Sequence, residues 1–311
     1  MKLVTGGAGF IGSHVVDALV SHGAGVRVLD DFSTGRKAFI QRHVTAKRVD
    51  LVRGDVLKPA TVQRSLRGVD EVWHLAADPD VRGGVKDPRS NLRDGTQATL
   101  EILDAMRRSD ARRFIFASSS TVYGEADVMP TPEDYGPCLP ISPYGASKLA
   151  AEGLASAWAG TYGLQVWIFR FGNVVGPRLT HGVIHDFHKA LKRDPKRLRI
   201  LGDGRQEKSY LSAQDCVEGM LHGVGHAEKR VNVYNLASRS ATTVTRIAQI
   251  VTQAHGLKGV RFEYAGGERG WAGDVRRMRL AIDRMAGLGW RPQHTSEEAV
   301  QQAADWVARE G

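Results

Sequence analysis

The chain enters a glycine-rich turn almost at once: an apolar strand over residues 2–5 runs into Gly6-Gly7-Ala8-Gly9-Phe10-Ile11-Gly12, and a helix is predicted from there. In a strand-turn-helix setting each glycine answers a steric demand. Gly6 permits the tight turn, Gly9 lets a phosphate approach the backbone, and Gly12 lets helix pack closely on strand. Backbone amides at the start of that helix suit a pyrophosphate.

The rest of the first half repeats the same rhythm. Apolar strands are predicted at 26–29, 47–54, 71–75, 113–117 and 165–169, with helices at 11–21, 61–66, 90–107 and 143–161. Strands alternating with helices predict an α/β fold, a doubly wound parallel (Rossmann) sheet whose ligand sits beyond the carboxyl ends of the strands. Residues 1–172 are expected to form this domain. Residues 173–311 are expected to form mainly a smaller α/β substrate-binding lobe, with isolated strands such as 231–236 and a last amphipathic helix near 296–309. Segments near 212–240 are expected to return to the first domain.

Composition is that of an ordinary globular chain, 42% hydrophobic and 25% charged. The net charge of +9 rests on short clusters, such as Lys192-Arg193 and Arg276-Arg277, without interleaved aromatic platforms, so nucleic acid is not expected as a partner. No run is long enough to span a membrane, nothing ahead of Gly6 resembles a targeting segment, and two distant cysteines, Cys138 and Cys216, fit a reducing compartment; a cytoplasmic location is expected. His181, His185 and His188 fall one helical turn apart, but the one carboxylate among them, Asp186, is expected on a different helix face, and no metal is expected.

Asp30, eighteen residues after Gly12, closes the second predicted strand, with Asp31 beside it. A carboxylate there accepts hydrogen bonds from ribose hydroxyls and repels a 2′-phosphate, which favours NAD; Arg36 keeps NADP as the lesser alternative. Asp55, after the third strand, suits either an adenine amino group or a loop cap.

Tyr144-Gly145-Ala146-Ser147-Lys148 places a phenol and an ammonium on one helix face. An ammonium about 4 Å from a phenol, at an effective dielectric constant of about 20, is worth roughly 4 kcal/mol, or about three pKa units. That would poise Tyr144 as a base near neutral pH, although an isolated Tyr-x-x-x-Lys can equally be two residues sharing a helix. Ser118-Ser119-Ser120-Thr121 ends the fifth strand, where a hydroxyl can relay a proton between substrate and tyrosine.

Together, TGGAGFIGS, Asp30-Asp31, His74-Leu75-Ala76-Ala77, SSSTVYG, SPYGASK and Asn173-Val174-Val175-Gly176-Pro177 resemble the NAD-dependent epimerase/dehydratase family, an extended short-chain dehydrogenase/reductase group, and within it the UDP-glucose (UDP-galactose) 4-epimerases. The resemblance implies Tyr144, Lys148 and Ser119 as catalytic residues. It implies that Tyr144 removes the proton of the sugar 4-hydroxyl while C4 gives hydride to NAD, after which the 4-keto sugar turns and takes the hydride back. It implies tightly held NAD, touched by Gly6, Gly9, Phe10, Ile11 and Gly12, by Asp30, Asp31, Ser33 and Gly35, by Asp55 and Val56, by Leu75, Ala76, Ala77 and Asn91, and by Ser118, Tyr144, Lys148 and Phe171.

For the substrate, a UDP-hexose, it implies Ser119, Ser120, Tyr144, Asn173, Lys208, Tyr210, Arg269 and Asp274, and for assembly a homodimer through helices 90–107 and 143–161. Lys208 stands where the family has a diphosphate-contacting arginine, and Ser209 replaces its usual aspartate. Sugar 4,6-dehydratases carry Asp-Glu directly after the catalytic hydroxyl residue; Ser120 and Thr121 stand there instead, which argues against dehydration. UDP-N-acetylhexosamine, UDP-glucuronate and reductase or dehydratase variants are the alternatives within the family, and a catalytically silent NAD-binding protein is the alternative outside it.

Overall fold

The computed structural model describes residues 1–310. In chain order its first strands are β1 (Lys2–Thr5), β2 (Val26–Asp30), β3 (Val49–Arg53), β4 (Glu71–His74), β5 (Arg113–Ser119) and β6 (Gln165–Phe171). After them come β7 (Asn173–Val175), β8 (Arg197–Ile200), β9 (Glu207–Lys208), β10 (Tyr210–Ser212) and β11 (Val231–Leu236). A seven-stranded parallel sheet runs in the order β11-β6-β5-β4-β1-β2-β3. The chain starts in the middle and winds outward both ways, so a crevice opens at the carboxyl ends of β1 and β4, where the direction of winding reverses.

The strands β5 and β6 are buried along nearly their whole length. Helices cover both faces, as a continuous apolar strand pattern requires. Two apolar clusters record this: Val4, Val28, Ile115 and Trp167 pack on one side, and Leu3, Leu29, Phe114 and Ile168 on the other.

Three sequence expectations change. Val231–Leu236 is not isolated: lying in the segment near 212–240 expected to return to the first domain, it pairs in parallel with β6 and completes the sheet. Its helix, Ala213–His226, buries Cys216, Val217 and Met220 in the same core as Trp167 and Phe169. Residue 47 lies outside β3, because Lys47 takes φ 53° in the preceding turn. The helix predicted over 90–107 is interrupted by a wide π-type turn at Leu92–Gln97 before it resumes at Ala98–Met106.

The remaining residues beyond 172 build a second body from short strands and helices around Ile184, Leu198, Ile247, Val251 and Val300. Phe10, from the glycine turn, packs into this body as well. The wall facing the crevice is therefore tied to the first helix by apolar contact. No helix among the described residues is long and apolar enough to cross a membrane.

Candidate active site

The helix Phe10–Ser21 begins at Gly9 with no side chain capping its first turn, which leaves backbone N–H groups free to meet an anion. A Cβ at Gly12 would lie 2.0 Å from the Gly6 carbonyl oxygen, so only glycine lets helix and turn pack this closely. At the end of β2, Asp30 is buried and its two oxygens accept hydrogen bonds from Ala8 N and Phe32 N, each at 2.8 Å. Burial raises its pKa, and those two backbone donors oppose the shift. One carboxylate thus ties the glycine turn to the second strand while facing the crevice.

Ser142 caps the helix Pro143–Tyr162 by accepting from Gly145 N at 3.1 Å, and Pro143 presets its first turn. Gly145 brings the helix hard against the loop after β5: a Cβ there would lie 2.6 Å from the Thr121 carbonyl oxygen. This approach sets Tyr144 on the same stretch of cleft wall as Ser119, whose hydroxyl favours the ionised phenol. Ser119 Oγ in turn accepts from Thr121 N at 3.2 Å and from Thr121 Oγ1 at 3.0 Å. One turn further on, Lys148 is buried and donates to the Ala117 carbonyl at 2.8 Å. Its neighbour Glu152 accepts from Ser118 Oγ at 2.5 Å and pairs with Arg170 at 2.7 Å, which locks the helix onto β5 and β6.

The electrostatics differ from the expectation drawn from spacing. Lys148 Nζ lies 5.8 Å from the centroid of the Tyr144 ring, because the lysine reaches across to β5 and not along the helix to the phenol. Burial pushes the Tyr144 phenol up to about 12, the charge of Asp78 adds to the shift, and the Ser119 hydroxyl opposes it. Burial also lowers Lys148 to about 8, with the Glu152 carboxylate opposing. In the protein by itself the phenol therefore keeps its proton at neutral pH.

Most of the residues expected at the site line one continuous cleft of about 850 Å³, running from the glycine turn past Asp30, Tyr144 and Lys148 to Asn173 and Tyr210. Five expected residues are not on its wall. Gly35 lies behind Asp30, where a Cβ would meet Asp30 Oδ1 at 2.8 Å. Asn91 is buried against Gly84, and neither atom of its amide has a hydrogen-bond partner within the protein. Lys208 and Asp274 pair with each other at 2.5 Å, and Arg269 pairs with Glu125 at 2.7 Å.

The cleft wall also includes Asp78, Arg93, Asp94 and His181. Sequence reasoning missed the first three; the one signal for Asp78 was its place just after a strand at the carboxyl edge of the sheet. Of the histidines, His188 pairs with His255 at 3.1 Å away from the cleft, and Asp186 pairs with Arg82 at 2.7 Å.

An extended cleft with an uncapped helix start at one end, a buried carboxylate at the second strand and a phenol-hydroxyl pair further along fits NAD by size and by donor set. The NAD dependent epimerase/dehydratase family matches residues 2–237. A UDP-glucose 4-epimerase of Mycolicibacterium smegmatis is 32% identical over 318 residues, covering 98% of this chain and 97% of the relative. A crystal structure of a UDP-galactose 4-epimerase superposes with a TM-score of 0.89 at 39% identity, over 100% of this chain and 99% of the other. The UDP-glucuronic acid 4-epimerase of Bacillus cereus, solved with UDP-glucuronic acid and NAD, superposes with a TM-score of 0.90 at 28% identity, over 99% of each chain. Fold, site and sequence agree along most of the chain, which belongs to the NAD-dependent epimerase/dehydratase family.

Proposed function

We propose that the chain is a UDP-sugar 4-epimerase acting on UDP-glucose and UDP-galactose. The observation that carries this reading is that Tyr144 and Ser119, both half-buried, share one wall of the cleft that fits NAD with the Lys148 ammonium, with the hydroxyls of Ser120 and Thr121 directly after Ser119. Loss of water from a sugar needs a further acid and base beside the hydroxyl pair, and neither of those two residues supplies one.

When bound, NAD supplies the hydride acceptor, the donor that returns it, and a positive charge that favours an ionised phenol. Tyr144 takes the proton of the sugar 4-hydroxyl at its phenolic oxygen and returns it to that same sugar oxygen after the sugar has turned. Ser119 orients that hydroxyl toward the tyrosine, its own position held by Thr121. Lys148, cationic below about pH 8 and anchored on Ala117 O, adds positive charge on the same side of the ring. Asp30, the glycine turn and Asp55 hold the dinucleotide. Asn173 and Tyr210 face the sugar nucleotide from the opposite wall, with Lys208, Arg269 and Asp274 joining once they exchange partners. The free thiols of Cys138 and Cys216 suit a reducing compartment, and we place the enzyme in the cytoplasm.

Incubation of the purified protein with UDP-galactose and no added cofactor, followed by chromatographic separation of the C4 epimers, tests the reading. Interconversion is expected; stoichiometric accumulation of NADH without epimer would replace it with a net dehydrogenase.

The same reading takes the enzyme as a homodimer through its two long helical segments. Leu92 is 60% exposed, and Leu100 and Tyr162 are also exposed on these segments, apolar side chains that a partner would cover. Light scattering should find a dimer, and replacing both Leu92 and Leu100 by Lys should yield monomers that keep their fold by circular dichroism.

A further inference from the structure

Asp78 stands at the catalytic end of the cleft, and no step described above uses it. It follows β4, and it lines the same cavity as Tyr144, Ser119 and His181. Its Oδ1 accepts from Asp80 N at 2.9 Å, and its Oδ2 faces Ser90 Oγ at 3.3 Å. Ser90 has a single hydroxyl proton, and its shorter contact is to the Asp87 carbonyl at 2.9 Å, so Oδ2 keeps capacity to accept from a ligand. Among the described residues no cation forms an ion pair with Asp78. Arg82, four residues on, is engaged with Asp186. The charge of Asp78 nevertheless reaches the site, since it makes ionisation of the Tyr144 phenol harder and that of His181 easier.

A cleft wall with an unpaired carboxylate treats two kinds of sugar differently. A hydroxyl can donate to Oδ2 and satisfy it. A second carboxylate brought alongside, with no cation between, raises the energy of both. The Bacillus cereus relative, solved with UDP-glucuronic acid bound, shows that the fold itself accommodates an acidic sugar, so discrimination depends on individual side chains. We propose that Asp78 is a specificity-determining residue that admits neutral sugars and rejects those bearing a carboxylate. The inference rests on the nucleotide-sugar reading of the cleft.

The test is calorimetric titration of the NAD-loaded protein with UDP-glucose and with UDP-glucuronate, together with kcat/KM for C4 epimerisation of each. It compares the wild type with Asp78→Asn and Asp78→Ser, both of which keep an oxygen acceptor for Asp80 N. The wild type should prefer UDP-glucose, and both variants should raise the relative affinity for UDP-glucuronate about tenfold or more. A ratio of dissociation constants unchanged in both variants, or a wild type that prefers the uronate, overturns the proposal. A shifted ratio without formation of C4 epimers would uphold the selection and sink the epimerase reading; epimers with an unshifted ratio would do the reverse. Binding of neither sugar nucleotide, by the wild type or by either variant, would remove both.

Discussion

Tyr144→Phe should lower kcat about a thousandfold while the purified protein retains its NAD, because the substitution deletes the oxygen that moves the proton and leaves the ring in place. Ser119 is held in place by Thr121, so loss of the phenol hydroxyl leaves the loop after β5 anchored. Activity is read as the initial rate of C4 epimer formation, and retained cofactor by its absorbance after denaturation. A variant as active as the wild type would show that the Tyr144–Ser119–Lys148 set is idle and that the chain binds NAD without turning over a sugar.

Gly12→Ala should act on stability and cofactor together. The added methyl would sit 2.0 Å from the Gly6 carbonyl oxygen and 2.9 Å from Gly7 Cα, both backbone atoms that cannot swing aside. The first helix must lift off the turn, and overpacking of this kind costs about 3 kcal/mol. The amides that face the pyrophosphate move with it. A lowered thermal midpoint and protein purified without NAD are the expected results. Gly160→Ala is the matched control: it also lies in a helix, no atom stands within 4 Å of its added methyl, and alanine there should stabilise by about 0.5–1 kcal/mol. Equal behaviour of the two variants would refute the packing argument.

What could be read from the chain beforehand was local. The turn from Gly6 to Gly12, Asp30 at the end of its strand, and the Tyr144/Lys148 spacing each depend on a few neighbouring residues whose geometry follows from strand and helix periods. What could not be read depends on residues far apart. Lys208 and Asp274 are separated by 66 positions, and nothing in either segment announces that they pair. Strand β11 looked isolated because its partner β6 precedes it by some sixty residues of other structure. The four-residue spacing correctly put Tyr144 and Lys148 on one face. It said nothing of the Ala117 carbonyl that draws the ammonium away, nor of Asp78 arriving from the loop after β4 to oppose ionisation of the phenol.

The pairing of Lys208 with Asp274 has one more consequence. An anion that reaches Lys208 meets an ammonium already neutralised, so its arrival is an exchange of one carboxylate for another acid and its affinity is a difference between two ion pairs. Asp274 also accepts from Gly270 N through its other oxygen at 3.1 Å, so release of Lys208 would leave it anchored with one oxygen open to a hydroxyl donor. On the proposed function, capture of negative charge at Lys208 would unmask an acceptor at Asp274, and a ligand carrying both a diphosphate and a free diol should gain twice where inorganic phosphate gains once.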